Sequence, residues 1–134
     1  MNTKDNNVIE IIPESKELGF VGIPNKIKSH IIKNKLNKNL IPIISPIGLG
    51  SDYKTYNING DTAAGAIAKS LKSRRLLLMT NVEGVLDKNK ILIQEISSSK
   101  ILEMIDDKTI TEGMIPKINT CLDAVKNGVT AVAV

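Results

Sequence analysis

The clearest structural signal in the chain is GDTAAGAIAKSLKSRRLLLM, residues 60–79. Its first part places apolar residues at spacings of three and four, which predicts a helix over 61–72. Asp61 stands where a carboxylate can cap the first turn of that helix. The four apolar residues that follow, 76–79, predict a strand that is covered on both faces. A helix followed by a buried strand indicates an α/β fold.

The remaining segments continue this alternation of strands and helices. Further strands are predicted at 7–12, 18–22 and 40–44, late in 46–60, and at 129–134, and further helices at 25–38, 97–106 and 113–126. Pro13 ends the first strand, so the first two strands would form a hairpin. Pro42 weakens the third strand because proline cannot donate to a ladder. The sequence therefore predicts an α/β fold with a mainly parallel sheet, whose ligands bind beyond the carboxyl ends of its strands.

The composition argues against several classes of protein. With 134 residues, of which 42% are hydrophobic, the chain predicts one domain or part of a larger one. Aromatic residues are 2% of the chain, which argues against nucleic-acid binding by base stacking. A single cysteine and a single histidine, His30, argue against a zinc centre. No apolar run approaches the roughly 20 residues that span a bilayer, and no signal core opens the chain, so we expect a cytoplasmic protein.

The formal net charge of +4 raises the question of a polyanionic partner. Five lysines and His30 fall within residues 26–38, without an acidic residue among them. Nucleic acid could bind such a segment. The pattern also fits a solvated helix face whose isoleucines point to the core, and we favour that interpretation because no arginine-rich or aromatic motif joins the lysines. We expect neither a nucleic acid nor a membrane as partner.

Polar residues precede the predicted helix 61–72. In an extended chain, residues two apart share a face, so Asn57, Asn59 and Asp61 would present two amides and a carboxylate to one side. Amides can hold a carboxylate or carbonyl group of a small molecule, and the carboxylate can orient lysines or a magnesium ion. The same residues also fit a turn followed by an Asp N-cap, with no ligand.

A second polar motif, TNVEGVLD at residues 80–87, follows the predicted strand 76–79 directly. Its glycine, Gly84, permits a close approach of the backbone to a ligand. A nucleotide base and ribose would suit this position beyond the end of a strand. An ordinary surface loop explains the same residues equally well.

The third motif, TEGMIPK at residues 111–117, opens the predicted helix 113–126. Proline is tolerated only in the first turn of a helix, so Pro116 places the helix start nearby and Lys117 in or beside its first turn. Free backbone N–H groups, a glycine and an ammonium group together form an anion site, and phosphate is its natural occupant. A solvated surface lysine is the alternative. Cys121 falls on the apolar face of the same helix, which favours a buried thiol over a nucleophile.

Together these motifs resemble the amino-acid-kinase superfamily, and within it the acetylglutamate kinases. The matching stretches are LGFVGIP (18–24), IPIISPIGLGSDYKTYNINGDTAAGAIA (41–68), LLLMTNVEGVLD (76–87) and ITEGMIPKINTCLDAVKNGV (110–129). The resemblance implies a three-layer α/β/α fold with helices on both faces of the sheet. It also implies transfer of the γ-phosphoryl group of ATP, bound with Mg²⁺, to the side-chain carboxylate of N-acetyl-L-glutamate in arginine biosynthesis.

The resemblance also implies roles for individual residues. Lys117 would stabilise charge on the transferring phosphoryl group, and Asp61 would organise the catalytic lysines by ion pairing. Asn57 and Asn59 would bind the amino-acid substrate. The residues implied to contact ATP are Thr80, Asn81, Gly84, Val85, Leu86, Gly113, Met114 and Lys117. Neither a metal ligand nor a tightly bound cofactor is expected.

The resemblance begins at about residue 17 and implies a partial chain in two parts. Residues 1–60 would be the trailing part of the amino-acid-substrate lobe, including the hairpin, and residues 61–134 a nucleotide-binding lobe cut short at its C-terminus. The lysine and glycine-rich turns that begin the family are not found in residues 1–17, so the activity of this chain alone stays open. Glutamate, aspartate, uridylate or carbamate kinases, and a non-catalytic nucleotide-binding module, are the alternatives. For the full-length family the resemblance implies a homo-oligomer.

Overall fold

The computed structural model describes residues 7–110 and 113–134, so Thr111 and Glu112 of the third motif lie outside the described residues. The elements, in chain order, are β1 (Ile9–Pro13), β2 (Gly22–Ile27), α1 (Ser29–Leu36), β3 (Ile47–Leu49), β4 (Thr55–Asn57), α2 (Gly60–Leu71), β5 (Arg75–Leu77), α3 (Ser98–Asp106), α4 (Ile115–Lys126) and β6 (Ala131–Ala133). Within the described ranges, no helix has the length and apolar character needed to cross a membrane.

The strands form two sheets, a mixed sheet of four strands and a parallel sheet of two. In the first sheet, whose order is β2-β1-β3-β4, β1 pairs antiparallel with β2 and parallel with β3, and β3 pairs antiparallel with β4. In the second sheet, β5 and β6 are parallel. The α/β class is confirmed, but the first sheet is mixed rather than mainly parallel, because loops of eight and five residues reverse the chain between β1 and β2 and between β3 and β4. A long crossover that contains α3 and α4 keeps β5 and β6 parallel.

The predicted N-terminal hairpin is present, but its second strand lies further along the chain than the predicted 18–22. The ladder between β1 and β2 begins at Gly22. Gly19 has a φ of +65°, a left-handed value that glycine adopts without strain, so the chain turns there instead of extending. Phe20 is exposed in this turn, and its ring centroid lies 5.5 Å from that of Tyr56.

The strand predicted at 40–44 is not formed. No strand of the described residues pairs with this segment, and the side chains of Ile41 and Ile43 are 91% and 96% exposed. Its β-branched residues favour an extended chain, but Pro42 lacks the N–H that a ladder needs. Ile44 packs against the core cluster of the first sheet, so the segment is held at that point without joining a ladder.

The predicted helices are confirmed, with shifts of a few residues at some of their ends. The first is the most shortened: α1 begins at Ser29 rather than at residue 25, because the preceding residues belong to β2. The hydroxyl oxygen of Ser97 caps α3 by accepting a hydrogen bond from the N–H of Lys100 at 3.3 Å. Pro116 lies in the first turn of α4, where its missing N–H does not interrupt the helix.

The second sheet is covered by helices on one face only. Leu76 and Leu78 are buried, whereas Leu77 and Met79 are exposed. The prediction that residues 76–79 are covered on both faces is therefore wrong for this chain: the alternation of the strand sends every second side chain to the uncovered face. The core on the covered face consists of Ala68, Leu76, Leu78, Cys121, Ala124 and Val129.

Helices α2 and α4 lie side by side and run in the same direction. Asp61 at the start of α2 contacts Lys117 at the start of α4, and Lys69 near the end of α2 contacts Asp123 near the end of α4. The three residues that join α2 to β5 reverse the chain, so the start of α2 lies toward the carboxyl end of β5. Both helix N-termini are therefore brought to the sheet edge at which an α/β fold binds its ligands.

Candidate functional site

The centre of the candidate site is an ion pair between the first turns of α2 and α4. The Nζ atom of Lys117 donates to Oδ2 of Asp61 at 2.6 Å, although the two residues are 56 positions apart in the chain. The side chains of Lys117 and Asp61 are 16% and 32% exposed. The structure thus brings together the two residues for which the family resemblance implies a catalytic role.

Close packing between the two helices holds this ion pair in place. Gly65 on α2 faces Thr120 on α4, where a Cβ atom on the glycine would lie only 2.7 Å from the threonine methyl group. Near the other end of the helices, Lys69 and Asp123 form a second ion pair. The helices are therefore fixed against each other at three levels along their length.

The position of Lys117 in α4 is electrostatically unfavourable by itself. The partial positive charge at the N-terminus of a helix favours anions and disfavours a lysine, and Lys117 is the third residue of α4. Asp61 offsets this repulsion from its place in the first turn of α2. No side chain of the described residues caps the N-terminus of α4. Backbone N–H groups and an ammonium group therefore converge there, and together they can bind an anion.

Asn59, and not Asp61, caps the N-terminus of α2. The side-chain oxygen of Asn59 accepts a hydrogen bond from the N–H of Thr62 at 3.1 Å and another from its hydroxyl group at 3.3 Å. The predicted Asp61 cap is wrong because the helix begins one residue earlier, at Gly60, which places Asp61 inside the first turn. The carboxylate of Asp61 is therefore free to pair with Lys117.

The predicted row of Asn57, Asn59 and Asp61 along one extended face is interrupted by the helix. Asn57 ends β4 with its side chain exposed, and its backbone N–H donates to the carbonyl oxygen of Phe20 at 2.8 Å. Asn59 has extended backbone angles, φ −58° and ψ 131°, and the helical conformation starts directly after it. The alternation of side chains therefore reaches Asn59 but does not continue to Asp61.

A cavity of about 700 Å³ lies beside the start of α4. It is formed by the loop after β5, by residues 107–110 and by Met114, which is the N-cap residue of α4. This volume falls within the range of small-molecule sites. Four of the eight residues predicted to contact ATP line it, namely Gly84, Val85, Leu86 and Met114. The other four, Thr80, Asn81, Gly113 and Lys117, are not part of its wall.

Two features of the cavity wall require a glycine at position 84, namely its backbone conformation and the close approach of neighbouring residues. Its φ of +139° is unfavourable for other residues. A Cβ atom at this position would also lie 2.9 Å from a methyl carbon of Leu92 and 3.2 Å from the carbonyl oxygen of Val134. The glycine of the second motif therefore allows the loop to fold tightly against its neighbours.

Charged residues at the cavity rim were missed by the sequence reasoning. Lys88, Lys90 and Lys108 line the cavity together with Asp87 and Asp107. The acidic and basic residues at 87–90 could have predicted a charged loop. The sequence does not reveal that this loop lies beside the end of α3. Since lysines outnumber the acidic residues here, the rim can attract an anionic ligand.

Asp107 is strongly stabilised as a carboxylate at this rim. Hydrogen bonds from Thr109, together with the ammonium group of Lys88 at 2.9 Å, lower its pKa from 3.8 to about 2. Asp107 is therefore ionised at neutral pH. Its negative charge holds Lys88 at the wall of the cavity and neutralises part of the basic rim.

Cys121 is buried, in agreement with the sequence prediction. Burial raises the pKa of its thiol, with Asp61 adding to the increase and the nearby charge of Lys117 opposing it. The thiol therefore stays protonated at neutral pH, which is the form that packs in a core and not the form that acts as a nucleophile. Within the described ranges, no three histidine, cysteine, aspartate or glutamate side chains are grouped so that they could hold a metal ion.

The cavity and the ion pair are neighbours along α4. Met114 lines the cavity, and Lys117 is three residues further on, about one helical turn or roughly 4.5 Å of rise. A ligand that fills the cavity and extends along the start of α4 can therefore reach the ammonium group. A cavity with an apolar part at Val85, Leu86 and Met114, followed by an N-terminal helix turn with a lysine, suits an anionic nucleotide.

The chain is similar in sequence to proteins of one known family. The model of the amino acid kinase family matches residues 1–134. The chain is 49% identical over 134 residues to an acetylglutamate kinase of Pelagibacter ubique, and 50% identical over 118 residues to an acetylglutamate kinase of Gluconobacter oxydans. These alignments cover 100% and 88% of this chain but 46% and 40% of the two relatives. The chain thus spans somewhat less than half the length of the curated relatives it matches.

A solved structure has the same fold. The crystal structure of smu.665 from Streptococcus mutans superimposes with a TM-score of 0.85 and 37% sequence identity. The match covers 93% of this chain and 51% of that one. Nearly all of the architecture described above therefore recurs within a longer protein.

Proposed function

Because the chain belongs to the amino acid kinase family, we propose that it carries the nucleotide site of a kinase whose acceptor is the side-chain carboxylate of N-acetyl-L-glutamate. The relatives named acetylglutamate kinase, at 49% and 50% identity, support this choice of acceptor. The product would be an acyl phosphate, as in the phosphorylation step of arginine biosynthesis. MgATP would be the phosphoryl donor.

The observation that carries the proposal is the Asp61–Lys117 pair at the start of α4, one turn from the cavity. Phosphoryl transfer requires positioning and cationic stabilisation of the transferring group, with little covalent chemistry from the protein. The ammonium group of Lys117 supplies positive charge at the helix N-terminus, where charge on the phosphoryl oxygens would be held. Asp61 keeps that ammonium group in place.

The two parts of the chain would contribute different ligands. Residues 61–134 would bind the nucleotide, with Val85, Leu86 and Met114 enclosing the base in the cavity. Residues 1–60 would form one wall of the acceptor site. Asn57, whose side chain is exposed at the end of β4, would offer its amide to the substrate carboxylate. The amide nitrogen of Asn59 could add to this wall while its oxygen caps α2.

A trapping assay tests the proposed reaction. The chain is incubated with MgATP, N-acetyl-L-glutamate and hydroxylamine, which converts an acyl phosphate to a stable hydroxamate. We expect hydroxamate to form with N-acetyl-L-glutamate and to form more slowly with glutamate or aspartate. A preference for unacetylated glutamate would contradict the proposed acceptor.

A calorimetric titration with MgATP accompanies the assay, because the chain spans less than half the length of its relatives. We expect saturable binding that shows no requirement for the acceptor. If MgATP binds and no hydroxamate forms, the chain is a nucleotide-binding module and the catalytic part of the proposal fails. If a folded chain binds no MgATP, the nucleotide site itself is wrongly assigned.

A further inference from the structure

One tight contact between α2 and α4 involves a glycine and a threonine. Gly65 lies midway between Asp61 and Lys69 on α2, and Thr120 lies midway between Lys117 and Asp123 on α4. A Cβ atom built on Gly65 falls 2.7 Å from Cγ2 of Thr120. Two carbon atoms that are not bonded prefer a separation of about 3.5–4.0 Å. Any residue larger than glycine would therefore push against α4 at this point.

The methyl group of Thr120 has little freedom to move away. Its Oγ1 atom donates to the carbonyl oxygen of Pro116 at 3.2 Å, one turn earlier in α4. This hydrogen bond fixes the side-chain rotamer, which is already restricted because threonine is branched at Cβ. Rotation that removed the methyl group from Gly65 would also break the bond. The clash is therefore relieved by moving the helices apart.

Helix separation at Gly65 acts directly on the ion pair. Asp61 precedes Gly65 by four residues and Lys117 precedes Thr120 by three, so each charged residue lies one turn from the contact on the same side of its helix. Restoring a normal carbon–carbon separation needs a shift of about 0.8 Å, the difference between 3.5 Å and 2.7 Å. Because Lys117 is only 16% exposed, its side chain has little space in which to follow.

We propose that Gly65 is a positioning residue that sets the distance between α2 and α4 at which Lys117 meets Asp61. It does so by allowing the methyl group of Thr120 to lie against the backbone of α2. The consequence for nucleotide binding rests on the proposed function: a displaced Lys117 would hold the phosphates less well. The consequence for the ion pair itself does not depend on any ligand.

A double-mutant cycle on Asp61→Asn and Lys117→Met tests the structural part. The cycle is measured by urea unfolding in three backgrounds: the unchanged chain, Gly65→Ala, and Gly65→Ala with Thr120→Ser. Serine keeps the hydroxyl group that bonds to Pro116 and lacks the methyl group. In the unchanged chain, we expect Asp61 and Lys117 to be coupled by a several-fold factor in the unfolding equilibrium constant. In Gly65→Ala this coupling should be absent, and in Gly65→Ala with Thr120→Ser it should return. The coupling energy is measured instead of the overall stability, because Gly65→Ala also stabilises α2 through the higher helix propensity of alanine. That effect on stability would hide the effect of the clash.

A matched control is available in the same helix. Among the described residues, a Cβ atom on Gly60 would meet no atom within 4 Å, so Gly60→Ala adds the same group without a clash. It is expected to leave the coupling unchanged. Full coupling in Gly65→Ala would overturn the proposal, and so would failure of Thr120→Ser to restore it.

Nucleotide binding provides the second readout and separates this inference from the proposed function. Calorimetry with MgATP should give an affinity several-fold weaker in Gly65→Ala, recovered with Thr120→Ser, and unaffected by Gly60→Ala. If the unchanged chain binds no MgATP, the proposed function fails while the coupling cycle still decides the role of Gly65. If coupling is lost in Gly65→Ala but the affinity for MgATP is retained, Gly65 does not position Lys117 for phosphate and the proposal is overturned in its functional part.

Discussion

Two ion pairs join the same two helices, and they differ in burial and in placement. Asp61 and Lys117 are 32% and 16% exposed, whereas Asp123 and Lys69 are 53% and 31% exposed. Lys69 lies in the last turn of α2, where the helix dipole favours a cation. Lys117 lies in the first turn of α4, where the dipole disfavours one.

Helix stability explains the Lys69–Asp123 pair, but it does not explain the Lys117–Asp61 pair. Lys69–Asp123 is an exposed link whose lysine also improves the end of its helix, so it requires no ligand to account for it. Lys117 is placed against the dipole and is held there by Asp61, next to a cavity that suits a nucleotide. Helix stability does not account for this placement, which supports the proposed role of Lys117 in binding phosphate.

The largest expected contrast is in the affinity for MgATP. Lys117→Met should weaken binding by about 10- to 100-fold, because a hydrogen bond to a charged group is worth about 1.5–3 kcal/mol. Lys69→Met is the matched control, since it removes a lysine from the same helix pair, and it should leave the affinity unchanged. Calorimetric titration of both variants measures the contrast. Equal losses would show that general positive charge attracts the nucleotide.

The next contrast is in stability without ligand. Asp61→Asn should lower the free energy of unfolding by about 1–2 kcal/mol, because it leaves a largely buried Lys117 unpaired at a helix N-terminus. Asp123→Asn should cost less than about 1 kcal/mol, as is usual for exposed pairs. Urea unfolding of the two variants gives both values. A larger loss in Asp123→Asn would reverse the assignment of structural and functional pairs.

Variants of Asn59 test whether the N-cap of α2 stabilises the helix turn that carries Asp61. Asn59→Ala should destabilise the chain by about 1 kcal/mol, because it removes the cap of α2, whereas Asn59→Asp should retain most of the stability. Thermal unfolding compares the two variants. If alanine and aspartate are equivalent in stability, the hydrogen bonds to Thr62 do not support the helix. A loss of acceptor activity in Asn59→Asp at normal stability would assign Asn59 to substrate binding as well.

The smallest effect concerns Cys121, which is buried between the two ion pairs. Because its folded pKa is raised above the ordinary value of 9.0, its contribution to stability is fully present below pH 9 and is lost as the pH rises through the folded pKa. Cys121→Ala should therefore weaken the fall in stability above pH 9. Unfolding measured from pH 7 to pH 10.5 in the two chains tests this, and parallel pH profiles would contradict it.

Much of the fold was predictable because its signals are local. The helices at 61–72 and 97–106 and the buried residues of 76–79 follow from spacing and composition within one segment. The segment 40–44 was predicted wrongly because β-branched residues favour an extended chain but cannot supply a partner strand. The uncovered face of β5, which exposes Leu77 and Met79, likewise depends on what packs against it and not on the strand's own residues.

The residues of the candidate site could be proposed from the sequence, but their arrangement could not. The motifs identified Asp61 and Lys117, but only the fold shows that they touch. The choice of cap between Asn59 and Asp61 depended on a helix boundary, which sequence patterns locate poorly. Gly65 carried a signal that was not used, since a glycine inside a helical pattern can mark a close approach to another element. Nothing in the sequence pairs it with Thr120.

The decisive measurement is an NMR titration with MgATP in which the lysine side chains are isotopically labelled at Cε and Nζ. The Lys117 resonance, assigned by its absence in Lys117→Met, should shift in step with saturation, while the Lys69 resonance stays in place. That result would establish that the ion pair at the start of α4 binds phosphate and that its counterpart at the other end only joins the helices. Saturable nucleotide binding with an unchanged Lys117 resonance, or equal shifts at both lysines, would contradict the proposed site.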